Sequence, residues 1–377
     1  MFEPKNRRRP WRAVALCTAL CLVIAACGSD DDDDSADDTS GDSSSESAEN
    51  TVELSETQVR VAAIDSWTQT MIFRVAQDQG FFEDEGLDVS YTGIAAGPDQ
   101  VAAIIGGSID VSMPSAPAIL GAITEGDAEI KAFSATRIGG DYQFAISREF
   151  ADEHGIDDDT PADEVVPLME GARFASASQA GIITTLTKLV LDTYGVDPDA
   201  DVELQYNDAP AAILANFEQG RADAFIFPSD LTSLAKERKD AVVFDLADLS
   251  ETPDLALNPA EMMITSTSFA DEHADTLTAF LRGMWHGWQY LSENEDDVRT
   301  YMEGLFPEMP AGSFQALYDN FKDGGFYLSE ASYDAALRIV NAGRPDEPYT
   351  LTYDDVVVTG IQDDAIADLD FDVPTNE

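Results

Sequence analysis

The sequence predicts an α/β fold of two similar lobes, each a mainly parallel sheet flanked by helices, with one cleft between them. Three observations carry the prediction. The first is a doubled unit. Pro98 opens an apolar-faced run that ends at Gly107, followed by Asp110, a short apolar strand and Pro114-Ser115; Pro210 opens a second copy, which runs through Gly220 and Asp223 to Pro228-Ser229. A Pro at the start and a Gly just past the end mark a helix, and Val101, Ile104 and Ile105 match Ile213, Leu214 and Phe217 as its buried stripe. The second observation is the alternation of strand and helix patterns from Gln58 onward, the order that builds a parallel sheet. The third is position. Parallel α/β sheets bind ligands outside the carboxyl ends of their strands, where both Pro-Ser loops fall, so the two loops are expected to face each other across the cleft.

The folded body does not start at residue 1. Arg7, Arg8, Arg9 and Arg12 precede a 14-residue apolar run from Ala13 to Ala26, a basic n-region and h-region that read as a secretory signal. The run is too short for a membrane span, which needs about 20 apolar residues. It ends in Ile24-Ala25-Ala26-Cys27, which resembles the bacterial lipobox and implies cleavage before Cys27 and lipid on that residue. Residues 27–56 follow as an acidic tether. Gly28 to Asn50 hold ten acidic residues, no Lys or Arg and almost nothing apolar, so this stretch is expected to be disordered. Cys17 and Cys21 leave with the signal, so no disulfide is expected in the mature chain.

From Gln58 the elements follow in order. Val59 to Ile64 form a strand, with Asp65-Ser66-Trp67-Thr68 as the loop at its carboxyl end. A helix with Met71, Ile72 and Val75 inward stops at Gly80, and Leu87 to Tyr91 form the next strand. After the first doubled unit, Ile119 to Ile123 are helical and Ile130 to Phe133 are a strand ending near Arg137. Tyr142 to Ile146 lead out of a Gly139-Gly140 hinge, and Asp152 to Glu164 are expected to form an acidic surface loop. Ala172 to Ala175 are a strand, Ser176 to Gly181 a loop, Ile182 to Val190 a helix and Val202 to Tyr206 a strand. The second doubled unit follows directly. Val242 to Phe244 give one more strand, and Glu261 to Thr265 return to the first lobe. From Phe269 to about Asn341 the pattern is helical, with Leu277, Phe280, Leu281, Met284, Trp285 and Trp288 as core. The expected division is 57–140 with 262–377 as the first lobe and 141–261 as the second.

Several segments carry a resemblance. Gly80-Phe81-Phe82-Glu83, Glu85-Gly86-Leu87-Asp88-Val89, Ala102 to Asp110, Gly220-Arg221-Ala222-Asp223-Ala224 and Phe269-Ala270-Asp271-Glu272-His273 resemble, in order and spacing over residues 58 to 290, the substrate-binding proteins of ABC importers for nitrate, taurine, aliphatic sulfonates and thiamine precursors. The resemblance implies the periplasmic-binding-protein type II fold, with two lobes joined by two crossing strands that close over a solute. It also implies delivery of that solute to a membrane permease and its ATPase.

The residues themselves favour capture over catalysis. Ser176, Ser178 and Gln179 lie in the loop before a long helix, whose N-terminus is an anion site. Arg137 is placed to pair with a carboxylate, sulfonate or phosphate, Trp67 to offer a flat face, and Ser66, Thr68, Ser115, Asn207 and Ser229 to orient a ligand. Asp65 beside Trp67 points instead to a nitrogenous heterocycle such as a pyrimidine or flavin precursor, and both ligand classes stay open. His154, His273 and His286 are dispersed, so neither a metal site nor a Ser-His-Asp set is expected, and no cofactor is called for. An exported hydrolase is the weaker alternative, and a sensor module docking on a membrane receptor is another. The net charge of −52 repels nucleic acid and reads as surface adaptation to salt. The expectation is thus a monomeric, lipid-anchored solute receptor on the extracytoplasmic face of the cell membrane, held to the membrane through its N-terminal lipid only.

Overall fold

The structure, a computed structural model, describes residues 54–375 apart from 140–141, 178, 180–181, 208, 260, 308 and 310–312. The signal, Cys27 and tether up to residue 53 lie outside the described residues, as does Ser178. The body begins with β1 (Gln58–Ala63), α1 (Trp67–Gln79), α2 (Phe81–Asp84), β2 (Asp88–Gly93), α3 (Gly97–Ile105), β3 (Val111–Ser112), α4 (Ala116–Gly126) and β4 (Ile130–Ala135). It continues with β5 (Tyr142–Ile146), α5 (Arg148–His154), α6 (Ala162–Val165), β6 (Arg173–Ser176), α7 (Ile182–Thr193), β7 (Glu203–Tyr206), α8 (Pro210–Glu218), β8 (Ala224–Pro228), α9 (Ser229–Lys239), β9 (Val242–Asp245) and α10 (Asp254–Leu257). The return strand β10 (Met262–Ser266) leads into α11 (Thr267–Glu272), α12 (Ala274–Glu293), α13 (Glu295–Leu305), α14 (Ser313–Gly324), α15 (Glu330–Ala342), α16 (Tyr353–Val356) and α17 (Ile361–Ala367).

Two five-stranded sheets result, in the orders β2-β1-β3-β10-β4 and β7-β6-β8-β5-β9. β1, β2 and β3 are parallel, as are β6, β7 and β8. The strands next to the crossover, β10 and β5, run antiparallel to their neighbours. Strand direction leaves no mark on hydrophobic periodicity, so these two reversals are visible only in the fold. Each sheet is covered on both faces, which is why its strands read as near-continuous apolar runs. In the first, Val59, Val61 and Ala63 enter one core and Ala62 the other; in the second, Phe144 and Ile226 enter one core, and Ala145 and Phe225 the other.

The doubled unit extends further than the sequence pattern suggested. Arg60 on β1 holds Asp110, just before β3, through its backbone N–H at 2.8 Å and its guanidinium at 2.9 and 2.5 Å. Arg173 on β6 holds Asp223, just before β8, through the same three groups at 2.9, 2.9 and 2.5 Å. Both pairs are 50 residues apart, and the Gly before each Asp, Gly107 and Gly220, has φ of 65° and 66°, the left-handed conformation that favours glycine. Each unit is therefore β-α-β-α-β closed by a clamp that fixes the parallel register of its first and last strands.

Two expectations need correction. Ile105 is 59 % exposed although it belonged to the expected buried stripe. Val101 and Ile104 are buried in a core of the first sheet, but Ile105 lies about 100° further round the helix, on its last turn and open to solvent. The acidic stretch Asp152 to Glu164 is not one loop: its first residues complete α5, which is stopped by Gly155 at φ 70°, and its last residues start α6.

The C-terminal helices join the two sheets' surroundings. α12 packs along α1 and α2, with Phe82 and Phe280 stacked at 5.0 Å. α15 is shared: Tyr333, Ala336 and Val340 enter a core of the first sheet, and Ile339 a core of the second. Arg338 on α15 holds Asp254 on α10 bidentately at 2.7 Å, while Arg344 just beyond reaches Glu125 on α4 at 3.0 Å. No helix of the described residues is long and apolar enough to cross a membrane.

Candidate functional site

The crossover between the sheets defines a candidate site. Two segments connect the sheets, one following β4 and one between β9 and β10. They pair with each other as an antiparallel ribbon, through the Ile138–Pro259 bridge and Thr136 N–H on Glu261 O at 2.9 Å. Because β5 is antiparallel to β8, its first residue Tyr142 lies beside Pro228 at the carboxyl end of β8. On the other side, Met262 N–H at the start of β10 bonds Pro114 O at 3.1 Å, just past β3. Each Pro-Ser loop therefore abuts one strand of the crossover, and the carboxyl edges of both parallel sets sit at the ribbon. This is the position at which open α/β sheets place ligands.

The expected site residues distribute along these edges. Ser66, half-buried, ends the β1 loop; its carbonyl accepts from Thr70 N–H at 3.1 Å and Thr70 Oγ1 at 2.8 Å. Trp67 and Thr68 are the first residues of α1. Asp65 is exposed and ion-paired with Arg74 at 2.9 Å, whose guanidinium lies 3.8 Å over the Tyr91 ring. Its carboxylate thus has a local partner. Ser115 caps α4 without a side-chain capping bond, and Ser229 is the first residue of α9, 1 % exposed. Gln179 is exposed in the turn after β6.

Two of the candidates have partners within the fold. Arg137 lies in the ribbon itself, 2 % exposed, with its guanidinium carbon 5.1 Å from the centre of the Phe321 ring on α14. Asn207 follows β7, the strand of its sheet farthest from the crossover. Its side-chain amide donates to Ser176 O and Gln205 O at 3.0 and 2.8 Å and accepts from Asn216 at 2.8 Å, so it stitches strand ends together.

Sequence reasoning missed a cluster at the ribbon. Gln69, in the first turn of α1, donates through Nε2 to Glu261 Oε1 at 2.6 Å. Thr136 Oγ1 donates to Glu261 Oε2 at 3.1 Å. No pattern singles out Glu261 in a chain with 73 acidic residues.

A second arrangement was expected not to exist. Ser55 Oγ donates to Asp275 Oδ1 at 2.5 Å and lies 3.0 Å from His273 Nδ1, and Ser55 N–H bonds Asp275 Oδ2 at 2.7 Å. Ser, His and Asp therefore do meet. The geometry is not catalytic, because a triad needs the carboxylate on the imidazole and the imidazole between it and the hydroxyl, whereas here the carboxylate takes the hydroxyl proton directly. Burial pushes the Asp275 carboxyl up, but its bonds from Ser55 and from backbone N–H groups hold it below the usual range. The set lies three residues before β1, at the amino edge of the sheet opposite the ribbon, and fixes the chain's entry into the fold. Among the described residues no group of three or more His, Cys, Asp or Glu is placed to hold a metal ion.

Residues 53–303 match the model of the NMT1-like family. The chain belongs to that family. A Bacillus subtilis (strain 168) protein named "Putative binding protein YtlA" is 20% identical over 270 residues, covering 71% of this chain and 76% of that one. Among solved structures, the periplasmic aliphatic sulphonate binding protein SsuA of Escherichia coli superposes with a TM-score of 0.63 at 15% identity, over 80% of this chain and 96% of that one. The periplasmic nitrate-binding protein NrtA of Synechocystis PCC 6803 gives 0.58 at 15% identity, over 83% and 89%. The fold is that of the type II periplasmic binding proteins. The relatives named are called binding proteins, and at these identities the structural likeness shows the fold alone.

Proposed function

We propose that this NMT1-like protein is the extracytoplasmic solute-binding component of an ABC importer, anchored through lipid on Cys27. It captures a small organic solute by closing its lobes, 57–140 with 262–377 and 141–261, and delivers it to a permease. The observation that carries this reading is the ribbon in which Thr136 and Ile138 pair with Glu261 and Pro259, at which the carboxyl edges of both parallel strand sets converge with Pro114-Ser115 and Pro228-Ser229. Two short crossing segments form a hinge, and ligands of open α/β sheets bind at the strand ends that flank it. Hinge closure around a ligand is an established way for such folds to enclose small molecules. Each half carries its own Arg-Asp clamp, which supports treating the two as bodies that move about the hinge.

A thermal-shift screen of the mature body against sulfonates, nitrate, pyrimidines and flavins tests the reading. A solute at 100 times its Kd stabilises by about 2.7 kcal/mol. A rise in melting temperature with one such solute, saturable and stoichiometric by calorimetry, is the expected result. If no small solute shifts the melt and the purified protein carries none, the solute-receptor reading fails.

A further inference from the structure

We infer that Gln69, oriented by Glu261, forms a subsite for a ligand carrying an N–H donor, either an aliphatic ammonium or an amino group on a heterocycle. The inference rests on the solute-binding reading above and names the chemistry that the cleft selects. Gln69 sits on the first turn of α1, at the carboxyl edge of the first sheet, and its amide spans from the helix to the crossover ribbon. An amide presents one donor and one acceptor end. A carboxylate oxygen accepts and does not donate, so the 2.6 Å contact to Glu261 Oε1 fixes Nε2 toward Glu261 and turns Oε1 away from it. Thr136 Oγ1, donating to Glu261 Oε2, holds the carboxylate in place. The amide therefore cannot flip without setting two acceptors against each other.

Gln69 Oε1 is buried and accepts no hydrogen bond from the described residues. A buried acceptor left unmade costs about 1–3 kcal/mol, and native structures satisfy nearly all such groups. The group that satisfies this one must donate, and the neighbouring Glu261 carboxylate favours a donor that carries positive charge or a polarised N–H over a hydroxyl. A donor-free anion such as nitrate or an alkanesulfonate has nothing to give Gln69. Discrimination at a site of this type is strong, because a ligand that lacks the donor leaves the polar group unpaired on closure.

Two matched pairs test the subsite: taurine against ethanesulfonate, which differ by one amine, and 4-aminopyrimidine against pyrimidine. The readout is the ratio of calorimetric Kd values within each pair, in the full mature protein and in Gln69→Leu and Glu261→Gln. We expect the amino member of at least one pair to bind about tenfold or more tightly in the native protein, and which pair shows it separates the aliphatic from the heterocyclic source. Gln69→Leu abolishes the preference, so that the two members of the pair bind with similar Kd values. Glu261→Gln, which allows the Gln69 amide to turn, reduces the preference with Gln69 still present. A merely structural role would weaken both members of a pair alike and leave the ratio intact, and an unchanged ratio in Gln69→Leu overturns the inference. Tight binding of ethanesulfonate or nitrate without an amine preference overturns it too, while the solute-binding reading survives. A broad screen with no binder at all removes both.

Discussion

Asp110 and Asp223 do the same work at the scale of single residues. Each carboxylate accepts from the backbone N–H and the guanidinium of an arginine 50 residues earlier, and each returns its own N–H to that arginine's carbonyl, at 2.9 and 2.7 Å. The side-chain bond to Asp110 is the main reason the Arg60 guanidinium is held above its ordinary pKa, and Asp223 does the same for Arg173. The arginine ends are open to water, with side chains 49% and 40% exposed, so the Coulombic part is screened and small. The backbone bond is the part that matters, because it sets which residue of the first strand faces the last. Removing one clamp with Asp110→Ala leaves the Arg60 N–H without its carboxylate acceptor and costs about 1–3 kcal/mol. In urea unfolding we expect Asp223→Ala to give a loss of similar size. Because each clamp is closed within its own half, the double variant should show the sum of the two losses, as for independent sites. A double variant no worse than either single one would mean that the clamps are not independent.

At the scale of elements, α12 lies close against both α1 and α2. A Cβ built on Gly287 would stand 2.7 Å from Ala76 Cβ and 3.1 Å from the Ala76 backbone, and one on Gly283 would stand 2.7 Å from Phe82 Cδ1. Gly inside a helix is unfavourable by about 1 kcal/mol relative to Ala, so propensity alone would make Gly287→Ala stabilising. The steric conflict is with backbone as well as side chain and cannot be relieved by a rotamer change; overpacking of this type costs about 1–3 kcal/mol. We expect Gly287→Ala to lower the urea midpoint, and a rise would show that the two helices can separate without loss. The element pattern was open to the sequence because its causes are local. Strands buried on both faces leave apolar runs such as Phe144 to Ile146 and Phe225-Ile226, and Gly107 and Gly220 mark left-handed turns that few other residues adopt. The positions of Ser115 and Ser229 followed from the same punctuation. What sequence could not supply is long-range partnership. Phe321 meets Arg137 from α14, Gln69 meets Glu261 across 192 positions, and Ser55 meets His273 across 218. Asn207 was placed at its strand end correctly as a position, yet Asn216 on the next helix takes its side chain for a local bond.

For the whole molecule the governing fact is 73 acidic against 21 basic residues. Many of the cations already sit against carboxylates, at Arg74, Arg148, Lys188, Arg282 and Arg338 among others, so the surplus negative charge repels itself and destabilises the compact state. Salt shortens the reach of that repulsion from about 10 Å at 0.1 M to about 3 Å at 1 M. The melting temperature at pH 8 should therefore rise as NaCl is raised from 0.05 to 1 M, whereas a protein stabilised chiefly by its exposed ion pairs would lose stability. Alkaline pH adds a second, local contribution. Burial pushes the Tyr301 and Tyr353 phenols up to about 12, and Tyr333 is raised further in the same direction by burial. Their pKa in the unfolded chain is near 10, so below pH 10 both states hold the proton and these tyrosines keep their full contribution. Between about pH 10 and 12 the unfolded chain releases protons that the folded chain retains, and stability falls with rising pH. The two effects separate in a pH scan at both salt concentrations. Salt should raise the whole curve, while the decline that begins near pH 10 should persist at 1 M NaCl, because it comes from removing these phenols from water and not from charges acting through solvent. A decline that vanishes in salt would assign the alkaline loss to surface repulsion and leave the buried tyrosines without a role in it.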